Sequence, residues 1–162
     1  MNVLSVKRLL FRMKNDLSVK KEQIIFGKDA IVIRKYISGL EGGRTLDMTD
    51  YPMKVVEAGH VIITKDGTYK PMPLTPKMQG ESGSQTEVKD ENGNTVYVYD
   101  TLPTGFSYAG VLYRSILTAE PAASIMTWGI VNEVAVPYPM ESILAAFKTA
   151  CPHIDFTKDE EA

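Results

Sequence analysis

The sequence predicts a mainly β protein whose body is a small β-barrel or sandwich-like fold, with an N-terminal helical arm and a short C-terminal helix. Short runs rich in β-branched and aromatic residues recur through the middle of the chain. Glycine, proline and Asn-Gly or Asp-Gly pairs separate these runs. Helical periodicity occurs only near the two ends. We divide the chain into an arm of helix and strand (1–43), a β-rich body (44–137) with an inserted hairpin (86–99), and a C-terminal helix and tail (138–162).

Residues 3–24 have the spacing of an amphipathic helix. The apolar stripe is formed by Val3, Val6, Leu10, Met13 and Leu17. The leading interpretation is a helix that docks on its own domain. A short coiled-coil seam between protomers and a helix on a membrane surface are the alternatives. The stripe is shorter than the three to four heptads that indicate a coiled coil.

Residues 29–37 are rich in β-branched residues and predict a strand. The glycines at 39, 42 and 43 interrupt the chain after it, so we place the boundary between the arm and the body there.

The first part of the body predicts strands at 53–57 and 61–63. Asp66-Gly67 is a two-residue turn signal, so residues 60–70 predict a hairpin. Prolines at 71, 73 and 76 follow, and they predict a stretch with no regular strand pairing because proline donates no backbone hydrogen bond.

The strongest hairpin signal is Asn92-Gly93, which lies between residues 86–88 and 95–99. After a flexible loop at 77–86, this hairpin predicts an exposed ribbon inserted into the body. Alternation places Val96 and Val98 on one face and Tyr97 and Tyr99 on the other.

The last part of the body predicts a buried strand at 108–118 and one or two strands at 122–136, split near Gly129. Pro139 predicts the start of the C-terminal helix, since proline is favoured in a first helical turn. Pro152 predicts its end, and we expect the charged residues 158–162 to form a frayed tail.

Composition excludes several classes of protein. A net charge of −2 lacks the basic stripe of a nucleic-acid binder, so we expect no nucleic-acid partner. The single cysteine, Cys151, excludes an intramolecular disulfide framework. No apolar run approaches the roughly 20 residues that span a bilayer, and basic residues interrupt the region where a signal peptide would lie. We therefore expect no membrane partner and synthesis in a cytoplasm.

The motifs of catalysis and metal binding are weak in this chain. His60, Cys151 and His153 have no partners at zinc-like spacing. Asp90, Asn92 and Asn94 resemble the start of a calcium loop, but the glycine and glutamate that such a loop needs are missing. The sequence contains no Gly-x-Ser-x-Gly nucleophile elbow and no phosphate-binding loop. The sequence therefore predicts a protein without a cofactor or enzymatic activity, although a pair of carboxylates acting in hydrolysis stays an alternative.

Aromatic residues on the predicted strands are the best candidates for a contact surface, because tyrosine and tryptophan are enriched in binding cores. The alternative is ordinary packing within the core. We name Tyr97, Tyr99 and Trp128 as candidate interface residues, together with the apolar stripe of the N-terminal helix.

The order of four segments resembles the head decoration and head fiber proteins of tailed phages, including the lambda-type capsid-stabilising family. These segments are Ala58–Ile62, Asp66–Pro71, Ala109–Leu112 and Ile125–Asn132. The resemblance covers residues 44–137. It implies a homotrimer on the outer capsid surface of the virion that binds the major capsid protein and stabilises the shell. It also implies an N-terminal arm that adds a strand to a shell protein, a role that residues 29–37 suit.

Two further functions remain open. The tyrosines of residues 86–113 suit a carbohydrate- or surface-binding β module. A small enzyme that uses Asp or Glu would need a clustered pair of perturbed carboxylates in a pocket.

Overall fold

The computed structural model describes residues 27–158 and places one six-stranded sheet at the centre of the molecule. The helices are α1 (Asp29–Val32) and α2 (Leu144–Ala150). The strands are β1 (Ile33–Gly39), β2 (Arg44–Thr45), β3 (Val55–Val56), β4 (Val61–Lys65), β5 (Thr68–Pro71), β6 (Leu74–Pro76), β7 (Met78–Gln79), β8 (Thr86–Glu87), β9 (Tyr97–Tyr99), β10 (Ser107–Leu112), β11 (Ile116–Leu117), β12 (Ala122–Ala123), β13 (Ile125–Asn132) and β14 (Ile154–Thr157). The prediction of a mainly β fold is confirmed.

The longest strand, β13, joins the two ends of the described chain. The main sheet has the order β1-β13-β10-β4-β5, with β14 also paired to β13. One edge of β13 pairs with β1 along most of its length. The other edge pairs antiparallel with β10 at residues 125–126 and parallel with β14 at residues 129–132. The sheet therefore unites the N-terminal, central and C-terminal parts of the described chain.

Both faces of the sheet are buried around β4. Val61, Ile62 and Ile63 are all fully buried although neighbouring strand residues point to opposite faces. Val61 and Ile63 belong to a first core, which also contains Phe147 from α2 and Ile154 from β14. Ile62 belongs to a second core with Leu46, Val56, Leu112, Ala123 and Ile125. Two small sheets, β2-β12 and β3-β11, contribute residues to this second core.

The hairpin at Asp66-Gly67 forms as predicted. β4 and β5 pair from Ile62↔Pro71 to Lys65↔Thr68. Asp66 has φ 50° and Gly67 has φ 80°. Positive φ at both turn positions is the requirement of the two-residue turn that follows the twist of the strands, and Asp-Gly meets it.

The segment predicted as an arm differs from the prediction in two ways. Residues 29–32 form a helical turn, and the strand begins at Ile33. This strand pairs with β13 of the same chain, from Ile33↔Val131 to Gly39↔Met126, so residues 33–39 are part of the main sheet of the body. The carboxylate of Asp29 also accepts hydrogen bonds from the Ser115 hydroxyl at 2.5 Å and the Ser115 backbone N–H at 2.9 Å. The predicted helix at residues 3–24 lies outside the described residues.

The predicted ribbon at 86–99 pairs with a third segment of the chain, residues 74–79. The proline-rich segment that we expected to stay unpaired forms β6, which pairs with β9, and β7 pairs with β8. Backbone hydrogen bonds run in a ring from Lys77 N–H to Val96 O, from Val96 N–H to Val88 O, and from Val88 N–H to Lys77 O. Pro76 lies at the end of β6, where strands tolerate proline. The turn at Asn92-Gly93 remains, and the Asp90 carboxylate accepts backbone hydrogen bonds from Asn92 and Asn94.

The last part of the chain also departs from the prediction. β13 runs without a break through Gly129, where we expected a split. An added Cβ at Gly129 would lie 2.5 Å from the Met126 sulfur, so this glycine makes room for a core side chain. α2 begins at Leu144, five residues after Pro139, and it ends at Ala150, with Cys151 as its C-cap before Pro152. After Pro152 the chain forms β14, a strand that we did not predict. Of the frayed tail expected at residues 158–162, residues 159–162 lie outside the described residues.

Phe147→Ala tests the packing of α2 on the sheet. The Phe147 ring is fully buried and lies edge-on to Tyr108 and Phe156, at centroid distances of 5.5 and 5.8 Å. We expect its removal to lower the free energy of unfolding by about 3–5 kcal/mol, because it deletes buried apolar area and leaves a cavity. Urea unfolding measures this change. Thr149→Ala, on the exposed face of the same helix, is the control and should change the free energy by about 0.5 kcal/mol or less. A loss below about 1 kcal/mol for Phe147→Ala would contradict the assignment of α2 to the core.

Candidate binding surface

The most distinctive surface is the face of a three-stranded unit made by β1, β13 and β14. At the level of Ile130 the register is Lys35↔Ile130↔Asp155 across these strands. Paired residues in neighbouring strands point to the same face of a sheet. Lys35, Ile130 and Asp155 therefore form a row across one face.

This row lies on the face opposite the first core. Val131 follows Ile130, pairs with Ile33 and Phe156, and belongs to the first core. Alternation then places Ile130 and Trp128 on the other face. Around β4 and β10 that other face is covered by the second core. Over β1, β13 and β14 it is bare: Trp128, Lys35 and Asp155 are exposed and Ile130 is half-buried.

An irregularity at Thr127 changes the direction of the side chains along β13. The register steps from Ser38↔Trp128 to Gly39↔Met126, so Thr127 has no partner of its own in β1. Met126 therefore points into the first core although Trp128, two residues later, points to the open face. The bulge thus turns the tryptophan out of the core.

Trp128 is the central group of this surface. Its side chain is 50% exposed, and its ring lies 5.6 Å from the ring of His153, measured between centroids and tilted by 42°. Ser38 lies opposite it in β1. We call the surface formed by Lys35, Ser38, Trp128, Ile130, His153 and Asp155 the Trp128 face. It combines apolar rings with polar groups of both signs, and it is open to a partner.

The other predicted interface residues have different locations. Tyr99 is 4% exposed, and its hydroxyl oxygen accepts a hydrogen bond from the Val61 backbone at 3.1 Å. The prediction that Tyr99 lies on an interface is therefore wrong, because the side chain is part of the first core. Tyr97 is half-buried in β9. The apolar stripe from Val3 to Leu17 lies outside the described residues.

Trp128 was a candidate interface residue from the sequence, and the residues around it were not. Lys35 belongs to the segment that we assigned to an arm (1–43). His153 and Asp155 belong to the segment that we assigned to the C-terminal helix and tail (138–162). β1 shows no alternation of burial, because residues 34–38 are all exposed, so the face to which Lys35 belongs becomes clear only from the pairing with β13.

His60 is buried inside a cluster of tyrosines. Its ring lies edge-on to the rings of Tyr51, Tyr99 and Tyr138 at centroid distances of 5.3–5.6 Å. Its Nε2 atom is 3.1 Å from the Met72 carbonyl oxygen, and its Nδ1 atom has no hydrogen-bond partner within residues 27–158. Burial lowers the pKa of His60 from 6.5 to about 4, because the charged ring would lose its hydration.

The remaining candidate groups are the Cys151 thiol and the side chains of a groove beside α1. Cys151 is buried, and burial raises the pKa of its thiol to about 11, which disfavours the nucleophilic thiolate. A groove of about 600 Å³ lies beside Asp29, Ser115 and Tyr138, but the Asp29 carboxylate is already occupied by Ser115. Across residues 27–158, no three His, Cys, Asp or Glu side chains are grouped so as to hold a metal ion. None of the helices in that part of the chain is long and apolar enough to cross a membrane.

Comparison with known proteins finds no matching family model, no similar curated protein and no similar solved structure.

The buried imidazole predicts a pH-dependent stability. Because the pKa of His60 is about 4 in the folded state and 6.5 in the unfolded state, the unfolded chain binds the extra proton between these values. Stability should therefore fall as the pH decreases, by about 2 kcal/mol between pH 7 and pH 5. Urea unfolding at the two pH values measures this difference.

Two histidine variants assign the effect. His60→Gln, which retains a donor for the Met72 carbonyl, should remove most of the difference between pH 7 and pH 5. His153→Gln, at the exposed histidine, should retain it. The assignment to His60 is wrong if the dependence persists in His60→Gln or disappears in His153→Gln.

Proposed function

We propose that the chain is a structural protein of a tailed-phage particle. It decorates and stabilises the outside of the head as a homotrimer bound to the major capsid protein. In this proposal it is made in the host cytoplasm and stays on the outer capsid surface of the virion. It acts without a cofactor and is not an enzyme. A sandwich-like β body carries the contacts, and residues 3–24 form a helical arm.

The Trp128 face is the observation that supports this function best. Burial of apolar area is the main favourable contribution to most protein association, and tryptophan is the residue type most enriched among energetically dominant contacts. In β13 the bulge at Thr127 directs Trp128 outward although Met126 beside it is fully buried. A side chain exposed in this way on a rigid sheet suits a surface that another protein chain covers, such as a neighbouring copy in the homotrimer.

The rest of the described chain fits a structural role. The Asp29 carboxylate beside the groove of about 600 Å³ is held by hydrogen bonds from Ser115 of the same chain. A protein that stabilises a shell acts through several simultaneous contacts, because linked binding events strengthen one another. Such a role depends on surface shape and multiplicity rather than on a tuned catalytic group.

A carbohydrate-binding module is the second candidate, and the pairing of Trp128 with His153 favours it. The exposed indole offers a flat apolar surface, and Ser38 and Asp155 provide polar groups beside it. Ligand sites commonly combine apolar rings with a few polar groups in this way. Selective binding on a glycan array that is lost in Trp128→Ala would favour this candidate.

The location of the protein on particles tests the leading proposal. We expect mass spectrometry of purified virions encoding the chain to detect it in a multiple of three copies per particle. An antibody against the exposed segment at residues 80–94, which contains the Asn92-Gly93 turn, should label intact heads, because the protein lies outside the shell. Heads from a deletion mutant should lose DNA at a lower temperature, and addition of purified protein should restore their stability. Absence of the chain from washed particles, or labelling only after the heads are opened, would contradict the proposal.

A further inference from the structure

The Trp128 face lies on a part of the main sheet that is only three strands wide. At the level of Ile130 the sheet is three strands wide, with β13 in the middle. Within residues 27–158, the outer edges of β1 and β14 pair with no other strand. The unit is thus a narrow strip, and the two outer strands are roughly 9–10 Å apart. Lys35 on the β1 side and Asp155 on the β14 side of this strip are both exposed.

We propose that three copies of this chain meet through the Trp128 face, with Trp128 and Ile130 of each copy directed toward a common axis and Lys35 of each copy beside Asp155 of the next. The inference rests on the proposed trimer and names the surface that forms it. The partner is a second and a third copy of the same chain.

The charges on the strip carry this choice of partner. Lys35 lies on the β1 side and Asp155 on the β14 side of the same row. Both side chains are exposed, and neither forms an ion pair within the described residues. When three such strips surround an axis that runs along the strands, the β1 side of each copy meets the β14 side of the next. Lysine then meets aspartate at all three corners, whereas a partner with one sign of charge would repel one side of the strip.

The apolar residues occupy the positions that this arrangement buries. Trp128 and Ile130 lie along the middle strand, midway between the two charged sides. An interface with an apolar centre and a polar rim is the usual anatomy of protein association. A rotation that closes after three copies gives a finite ring rather than a filament.

Charge reversal at the two sides of the strip tests the inference. Light scattering after size exclusion should give about three times the 18.0 kDa chain mass for the full-length protein. Lys35→Glu and Asp155→Lys should each raise the concentration at half dissociation by about tenfold or more, because each places like charges at the three corners. The double variant, Lys35→Glu with Asp155→Lys, should recover most of the trimer. This recovery is specific to residues that meet each other.

Two further variants separate contact from folding. Trp128→Ala should dissociate the trimer, and the chain should keep its native circular dichroism because the ring is half exposed in the single chain. Lys77→Glu and Glu120→Lys reverse exposed charges outside the strip and should leave the mass unchanged.

The possible results distinguish this inference from the proposed function. A trimer unaffected by Lys35→Glu, Asp155→Lys and Trp128→Ala would overturn the inference, and the proposed trimer on the head would stand. A monomer or a dimer at every concentration would also overturn it, and detection of the chain on virions would then still support decoration of the head. Absence from virions together with a trimer that responds to the charge variants would support this interface and remove the proposed function.

Discussion

The burial of both faces of one strand is the constraint on which the rest of the structure depends. Val61, Ile62 and Ile63 of β4 are all fully buried, so the sheet needs a cover on each side. α2 covers one side through Phe147, and the two small sheets cover the other through residues such as Val56. Short strands of two residues are stable here because they close a core. They would gain too little pairing energy by themselves.

β13 also needs a cover on both faces, but the described chain covers both faces along only part of this strand. At Ile125 and Met126 both faces of β13 are buried. Beyond the bulge at Thr127, the first core continues through Val131, whereas the opposite face carries Trp128 without a cover. A single change in side-chain direction therefore separates the part of the strand that completes the fold from the part that is available to a partner. The rigidity of the surface follows from its position, because β13 is paired along both edges.

Local signals in the sequence predicted the local features of this fold. Asp66-Gly67 and Asn92-Gly93 marked turns correctly, since their backbone preferences act within four residues. The pairing of strands could not be derived in the same way. β6 was missed because proline was taken to prevent pairing, yet Pro76 lies at the end of its strand. β14 was missed because four residues after a helix carry little periodicity, and its parallel pairing with β13 depends on the path of α2.

The candidate surface was even harder to predict from the sequence, because its three strands come from residues 33–39, 125–132 and 154–157. Trp128 alone was compatible with a core or with an interface, and only the bulge at Thr127 decides between them. Lys35 and Asp155 lie in the same row across the sheet, and this proximity cannot be predicted from their spacing along the chain. The opposite charges on the two sides of the strip limit the kinds of partner more than the exposure of Trp128 does. An apolar patch by itself accepts many partners, whereas a strip with lysine on one side and aspartate on the other is complementary to a copy of itself turned about the strand direction.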